Sequence, residues 1–122
     1  MTDLEQAQAD GIAPWDQYEQ DLCNDHVAVF RDRYPVTSGH LLFVPRVNND
    51  QGIVTAMGFA LMQGQYLVLT KRWDGFNVGL NMGTAAGQTV MYPHVHLIPR
   101  RTGDMEDPRG GVRHVIPEKG KY

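Results

Sequence analysis

The sequence predicts an α+β fold, an antiparallel sheet of about five strands with one main helix and a short N-terminal helix, and three observations carry that expectation. From Tyr92 to Leu97 side chains alternate at the period of a strand with one packed face. From Asp50 to Arg72 the period lengthens, and Ile53, Met57, Ala60, Leu61, Gly64, Leu67 and Val68 fall near one helical face. The remaining apolar runs are short and lie outside that single long helix, which suggests a sheet covered on one face.

In chain order, Leu4 to Ala9 forms a short helical turn that Gly11 and Pro14 stop. His26 to Arg31 reads as a strand. Arg33 to Gly39 is a turn punctuated by Pro35 and Gly39, and His40 to Pro45 is a second strand that pairs with the first. The main helix follows, with Asp50 as its N-cap. Asp74 and Gly75 turn the chain into a strand over Phe76 to Asn81, and a turn from Gly83 to Gly87 leads into the histidine strand. The tail from Arg101 carries Gly103, Pro108, Gly110, Gly111 and Pro117 and is expected to be mostly irregular, a lid or a partner-contacting arm. With no repeat and no low-complexity linker, residues 1–122 read as a single domain, its core at about 20–101 and its tail at 102–122.

Composition narrows the function classes. A chain of 122 residues, 42% hydrophobic and 20% charged, has room for one globular domain that buries roughly two-thirds of its unfolded surface. A net charge of −3 argues against a duplex nucleic-acid binder, because phosphate neutralisation needs a basic footprint. Cys23 is the only cysteine, which excludes an internal disulfide and a thiolate zinc cluster and suits a reducing compartment. The acidic N-terminus lacks the pattern of a signal peptide, and the apolar runs read as too short to span a bilayer. The cytoplasm is the expected location, with no membrane partner.

The alternation has a chemical side. Tyr92, His94 and His96 would share one strand face, and Met91, Pro93, Val95 and Leu97 the other. A strand restrains its side chains, as a nucleophile and a proton donor acting on one phosphorus atom require. A structural role and metal binding stay open for such a pair, since histidine is the commonest transition-metal ligand. A zinc site would want a third ligand, which only His40 on a paired strand obviously delivers. His26 and His114 carry no spacing signal and read as surface or locally bonded residues.

Two separated motifs add a resemblance. The run Asn81, Gly83, Gly87-Gln88-Thr89-Val90, Tyr92, His94, His96-Leu97-Ile98-Pro99-Arg100 resembles the signature of the histidine triad (HIT) superfamily of nucleotide hydrolases and transferases. Phe30, Asp32, Pro35, Gly39-His40, Leu42 and Val44-Pro45 are similar to that family's first half, and the tail from Asp107 to Lys119 is similar to bacterial members. The resemblance implies a HIT-like α+β domain. It implies that His94 attacks an α-phosphorus through a neutral ring nitrogen, forming a nucleotidyl-histidine intermediate that water resolves. It gives His96 the phosphate and the leaving-group proton, and His40 a supporting place beside the triad. Gln88, Thr89 and the turn after Gly87 would meet oxygens that gain charge in the transition state. Asn81 would contact phosphate or ribose, Asp32 would accept both ribose hydroxyls, Phe30 would line the slot for the base, and Tyr92 would stand at the nucleotide.

The departure is Tyr92, which replaces the first histidine of the triad and cannot become an imidazolium. Pro93 lacks an N–H, removes a ladder bond and hints at an edge or a bulge. The family's transferase branch also has proline before the nucleophile but glutamine at the third position, so His96 favours hydrolysis. The expected activity is hydrolysis at the α-phosphate of adenosine 5′-phosphoryl compounds such as diadenosine polyphosphates and adenosine phosphoramidates. No cofactor or metal is obligatory, and a homodimer is the expected assembly. Two other readings remain open, a non-catalytic nucleotide-binding or sensing protein and a nucleotidyltransferase, beside a zinc enzyme built on His40, His94 and His96.

Overall fold

The structure, a computed structural model, describes all 122 residues. Thr2 opens the first helix, α1 (Asp3–Ala9), through a reciprocal pair of bonds in which its hydroxyl accepts from the Glu5 N–H and Glu5 Oε1 accepts from the Thr2 N–H. Leu4 and Ala7 are its only buried residues, so α1 is a short cover over one face of the sheet.

That sheet has four strands rather than about five: β1 (Val27–Arg31), β2 (Leu41–Pro45), β3 (Gly75–Leu80) and β4 (Val95–Arg100), all antiparallel in the order β1-β2-β4-β3. Beyond β1 only an isolated bridge forms, from Tyr18 to Phe30, because the chain enters a 3-10 turn at Gln20. Alternation divides the core into two layers. Val27, Val29, Leu41, Phe43, Val95 and Leu97 pack on the long helix, whereas Ala28, Phe30, Leu42 and Val44 pack with Leu4, Ala7, Ala13 and Tyr92 on the opposite face.

The long helix, α2 (Asp50–Leu69), is capped by Asn49 rather than Asp50; the Asn49 side chain accepts from the Gly52 N–H at 2.8 Å. It stops short of Arg72 because Lys71 turns left-handed, with φ of 61°. Its buried stripe is Ala56, Ala60, Gly64 and Leu67, which leaves the expected Leu61 facing outward. A Cβ at Gly64 would lie 2.8 Å from the Phe76 ring, so the glycine sets how closely α2 approaches β3. By length and composition α2 is apolar enough to cross a bilayer, although Gln51, Thr55, Gln63 and Gln65 keep its apolar runs short, as expected. Here it is the core helix of one sheet face, packed on β2, β3 and β4.

The tail is more regular than expected. Two 3-10 turns, Gly111–Val115 and Pro117–Lys119, wrap His114, whose Nε2 lies 2.8 Å from the Arg109 carbonyl oxygen and whose ring packs on Gly120.

Candidate functional site

The sheet register places His96 on the inner strand β4, opposite Leu42 of β2 and Gly79 of β3. His40 stands one residue before β2 and is buried, with 3% exposure. Its two ring nitrogens have defined partners. The Val36 backbone N–H donates to His40 Nδ1 at 3.0 Å, so in the neutral ring the proton sits on Nε2. That Nε2 is 2.9 Å from His96 Nδ1, to which it donates. His96 must then carry its own proton on Nε2. Two hydrogen bonds therefore fix His96 as a donor toward whatever lies in front of it.

His94 lies outside the strand, because β4 begins at Val95. The expected single strand face from Tyr92 to His96 thus has a regular part, His96, and an irregular part before it. Pro93 also precedes the ladder, so its missing N–H costs no ladder bond. His94 Nδ1 is 2.8 Å from the Tyr92 carbonyl oxygen, which can only accept, so the proton is on Nδ1 and Nε2 keeps a lone pair. The two imidazoles, 5.2 Å apart between ring centroids, have opposite tautomers. The Trp15 ring lies 4.8 Å from the His94 ring.

Both rings open onto a cavity of about 500 Å³. Of the residues predicted from the sequence, His94, His96, Asp32, Asn81, Gly87, Gln88 and Thr89 line it. His40 stands behind His96. Phe30 and Tyr92 do not reach the cavity: Phe30 is fully buried behind Trp15 and Tyr18, and Tyr92 is buried with its hydroxyl donating to the Pro45 carbonyl oxygen. Gln88 lines it, but its amide is engaged within the loop: Oε1 accepts from the Gly83 N–H, and Nε2 donates to the Val90 and Met91 carbonyls. It braces the loop that carries Thr89 and Val90. The N–H groups of those two residues enter none of the chain's backbone hydrogen bonds, and the exposed Thr89 hydroxyl is free beside them. Asp32 Oδ1 accepts from the Tyr34 N–H at 2.8 Å, while Oδ2 lies 3.4 Å from His40 Nε2.

The electrostatics agree with these tautomers. Burial pushes His96 down to about 4, helped by its histidine neighbours and opposed only in part by Asp32. Burial likewise holds His40 below the usual imidazole range, again against Asp32. Both rings are neutral at pH 7.

Asp32, His40 and His96 bring ligand atoms within 4.8 Å of one another. They do not fit a metal as they stand. Zinc bonds of the usual length hold tetrahedral ligand nitrogens roughly 3.3 Å apart, whereas His40 Nε2 and His96 Nδ1 are at hydrogen-bond distance, 2.9 Å. With Nδ1 accepting from Val36, His40 could offer Nε2 only by losing its remaining proton.

Sequence reasoning missed the wall formed by Pro14, Trp15, Asp16 and Gln17, together with Leu42 and Tyr34. Leu42 had a readable signal, since its strand alternation puts it on the His96 face. Trp15 had none, because it sits in an irregular segment where no period assigns a direction.

Comparison with known proteins follows the same outline. The HIT domain family model matches residues 21–103. An uncharacterised HIT-like protein from Saccharolobus solfataricus is 31% identical over 103 residues, covering 79% of this chain and 71% of its own length. An AP-4-A phosphorylase from Mycobacterium tuberculosis is 39% identical over 79 residues, 58% of this chain; the chain spans only 40% of that relative. Among solved structures, a Zn-bound histidine triad family protein from Mycobacterium smegmatis superposes with a TM-score of 0.63 at 26% identity, covering 70% of this chain and 67% of the other.

Proposed function

The chain belongs to the HIT domain family, and from that premise we propose that it hydrolyses adenosine 5′-phosphoryl compounds at the α-phosphate through a nucleotidyl-His94 intermediate. One observation carries the reading: hydrogen bonds fix His94 and His96 in opposite tautomers, so a nitrogen lone pair and an N–H face one cavity. The His94 Nε2 lone pair forms the bond to phosphorus as the bond to the leaving group breaks. His96 Nε2–H meets a phosphoryl oxygen; the negative charge beside it favours uptake of a solvent proton by His96, and the leaving group takes the Nε2 proton, which leaves the ring neutral. Water then attacks the phosphorus, returns a proton to His96 and releases the His94 electron pair. The free N–H groups of Thr89 and Val90, with the Thr89 hydroxyl, suit oxygens that gain charge. Asn81 contacts phosphate or ribose, and Asp32 Oδ2 accepts from the ribose. The residues require no metal for these steps, and no cofactor is obligatory.

Phosphorolysis is the second reading, favoured by the similarity to an AP-4-A phosphorylase. It shares the intermediate and differs only in the acceptor, with inorganic phosphate in place of water giving ADP in place of AMP. A two-fold homodimer is also part of the proposal. The outer edge of β3 has no strand partner, and Val54, Met62, Tyr66 and Leu69 of α2 are exposed. A monomeric mass at micromolar concentration rejects it.

The test is product analysis by chromatography with adenosine phosphoramidate and diadenosine tri- and tetraphosphate, with and without inorganic phosphate. AMP release that His94→Ala abolishes supports hydrolysis; ADP formed only with phosphate moves the activity to phosphorolysis. AMP binding without any turnover by the wild type leaves a nucleotide-sensing protein and refutes both.

A further inference from the structure

His94 precedes β4, so no ladder bond fixes the backbone that presents it. Side chains hold this segment instead. Gln88 braces it through the Val90 and Met91 carbonyls, and residue 92 is bound on two sides. Its phenol, only 4% exposed, donates to the Pro45 carbonyl oxygen at the end of β2 at 2.7 Å. Its own carbonyl oxygen accepts from His94 Nδ1 at 2.8 Å. The Trp15 ring stands edge-on to the Tyr92 ring, 6.4 Å away, and also flanks His94.

We infer that Tyr92 is a positioning residue for His94: its hydroxyl ties residue 92 to β2, and the carbonyl so anchored keeps the imidazole in the Nδ1–H tautomer with the Nε2 lone pair facing the cavity. The kinetic consequence rests on the reading of His94 as nucleophile, whereas the tautomer is a property of the free protein. Any residue supplies a carbonyl at position 92. What is particular to this chain is a side chain long enough to reach the Pro45 carbonyl and apolar enough to pack among Leu4, Phe30 and Leu42. Burial pushes the phenol up to about 12, so it remains a donor throughout the neutral range. Reinstating the triad's first histidine at this position removes the phenol's bond to the Pro45 carbonyl.

Nitrogen-15 NMR of histidine-labelled protein reads the tautomer directly, and steady-state kinetics on the substrate that turns over read its consequence. The wild type is expected to show His94 as a single Nδ1–H tautomer, with or without turnover. Tyr92→Phe, which keeps the ring and loses the hydroxyl, is expected to give mixed tautomers and a kcat about tenfold lower, with KM within about twofold. Tyr92→His is expected to lower kcat as well. Mixed tautomers in the wild type overturn the inference whether or not the variants fold. So does a Tyr92→Phe protein with unchanged tautomer and kcat, or a Tyr92→His protein with higher turnover. A wild type without turnover refutes the proposed activity and leaves the NMR result to decide the inference.

Discussion

The two faces of the sheet are built from the same alternating strands and end in different chemistry. On the α2 face, Val29, Phe43, Val95 and Leu97 meet the helix, and the buried positions are all apolar. On the α1 face, β1 and β2 supply Ala28, Phe30, Leu42 and Val44, but β4 contributes His96, and the cover is a seven-residue helix with an irregular segment. Apolar cover that incomplete leaves a cavity beside Leu42. The difference teaches where function is tolerated in a small domain: one face supplies stability, and the other holds two neutral imidazoles at a cost that solvent pH can expose.

Acid should show the largest effect, and between pH 7 and 4 it acts on the histidine face. Unfolded histidines protonate near the ordinary value of 6.5, whereas His96 resists protonation until about 4. Between those values the unfolded chain binds the extra proton, so the histidine contribution to stability falls as pH drops from 7 toward 4 and levels off below, where Asp104 and Asp107, held low by Arg100 and Arg109, begin to lose theirs. The loss is of order 3 kcal/mol for His96, with His40 adding in the same direction. Urea denaturation at pH 7, 5.5 and 4 should show it, and His96→Gln should flatten the curve; an equally steep wild type and variant would place the sensitivity elsewhere.

Breaking the relay behind His96 comes next. His40→Ala leaves the Val36 N–H and His96 Nδ1 without their partner, and kcat is expected to fall about a hundredfold. A fall below threefold would mean that His96 needs no orienting donor. On the opposite face, Gly64→Val forces the helix off the Phe76 ring and should cost about 2 kcal/mol of stability while leaving kcat per folded molecule within twofold. A kcat that dropped with stability would show that the two faces are not separable. Trp15→Leu is the mildest test. Loss of the ring beside His94 should lower kcat/KM about threefold to fivefold, and an unchanged value would reduce Trp15 to cover for Phe30.

Much of the first face was legible in the sequence and less of the second, for a physical reason. Period two reports direction only while a ladder persists. It assigned Val95 and Leu97 to the core and His96 to the other side, but it carried the strand back through His94 to Tyr92, where the ladder has already ended. The helical period found α2 and put Ala60, Gly64 and Leu67 on its buried stripe, but it took in Leu61 and missed Ala56, which is buried for its smallness, a feature that a hydrophobic pattern underweights. Asn49 and Asp50 are both good caps, and only the bond to Gly52 separates them. The spacing of the two motifs brought His40, His94, His96, Asp32 and Asn81 to one place, but it did not distinguish residues that line a cavity from those that stand behind it. Phe30, Tyr92 and the engaged amide of Gln88 belong to that supporting layer.

The central claim is that His94 Nε2 forms a bond to the α-phosphorus, and trapping that bond tests it most directly. Protein mixed with an adenosine phosphoramidate labelled in its phosphorus, quenched within the first turnover and digested, should carry the label on the peptide that contains His94, acid-labile and absent from His94→Ala. Full turnover with no label on that peptide, or inverted configuration at phosphorus from a chiral substrate, would contradict the account and point to direct attack by water.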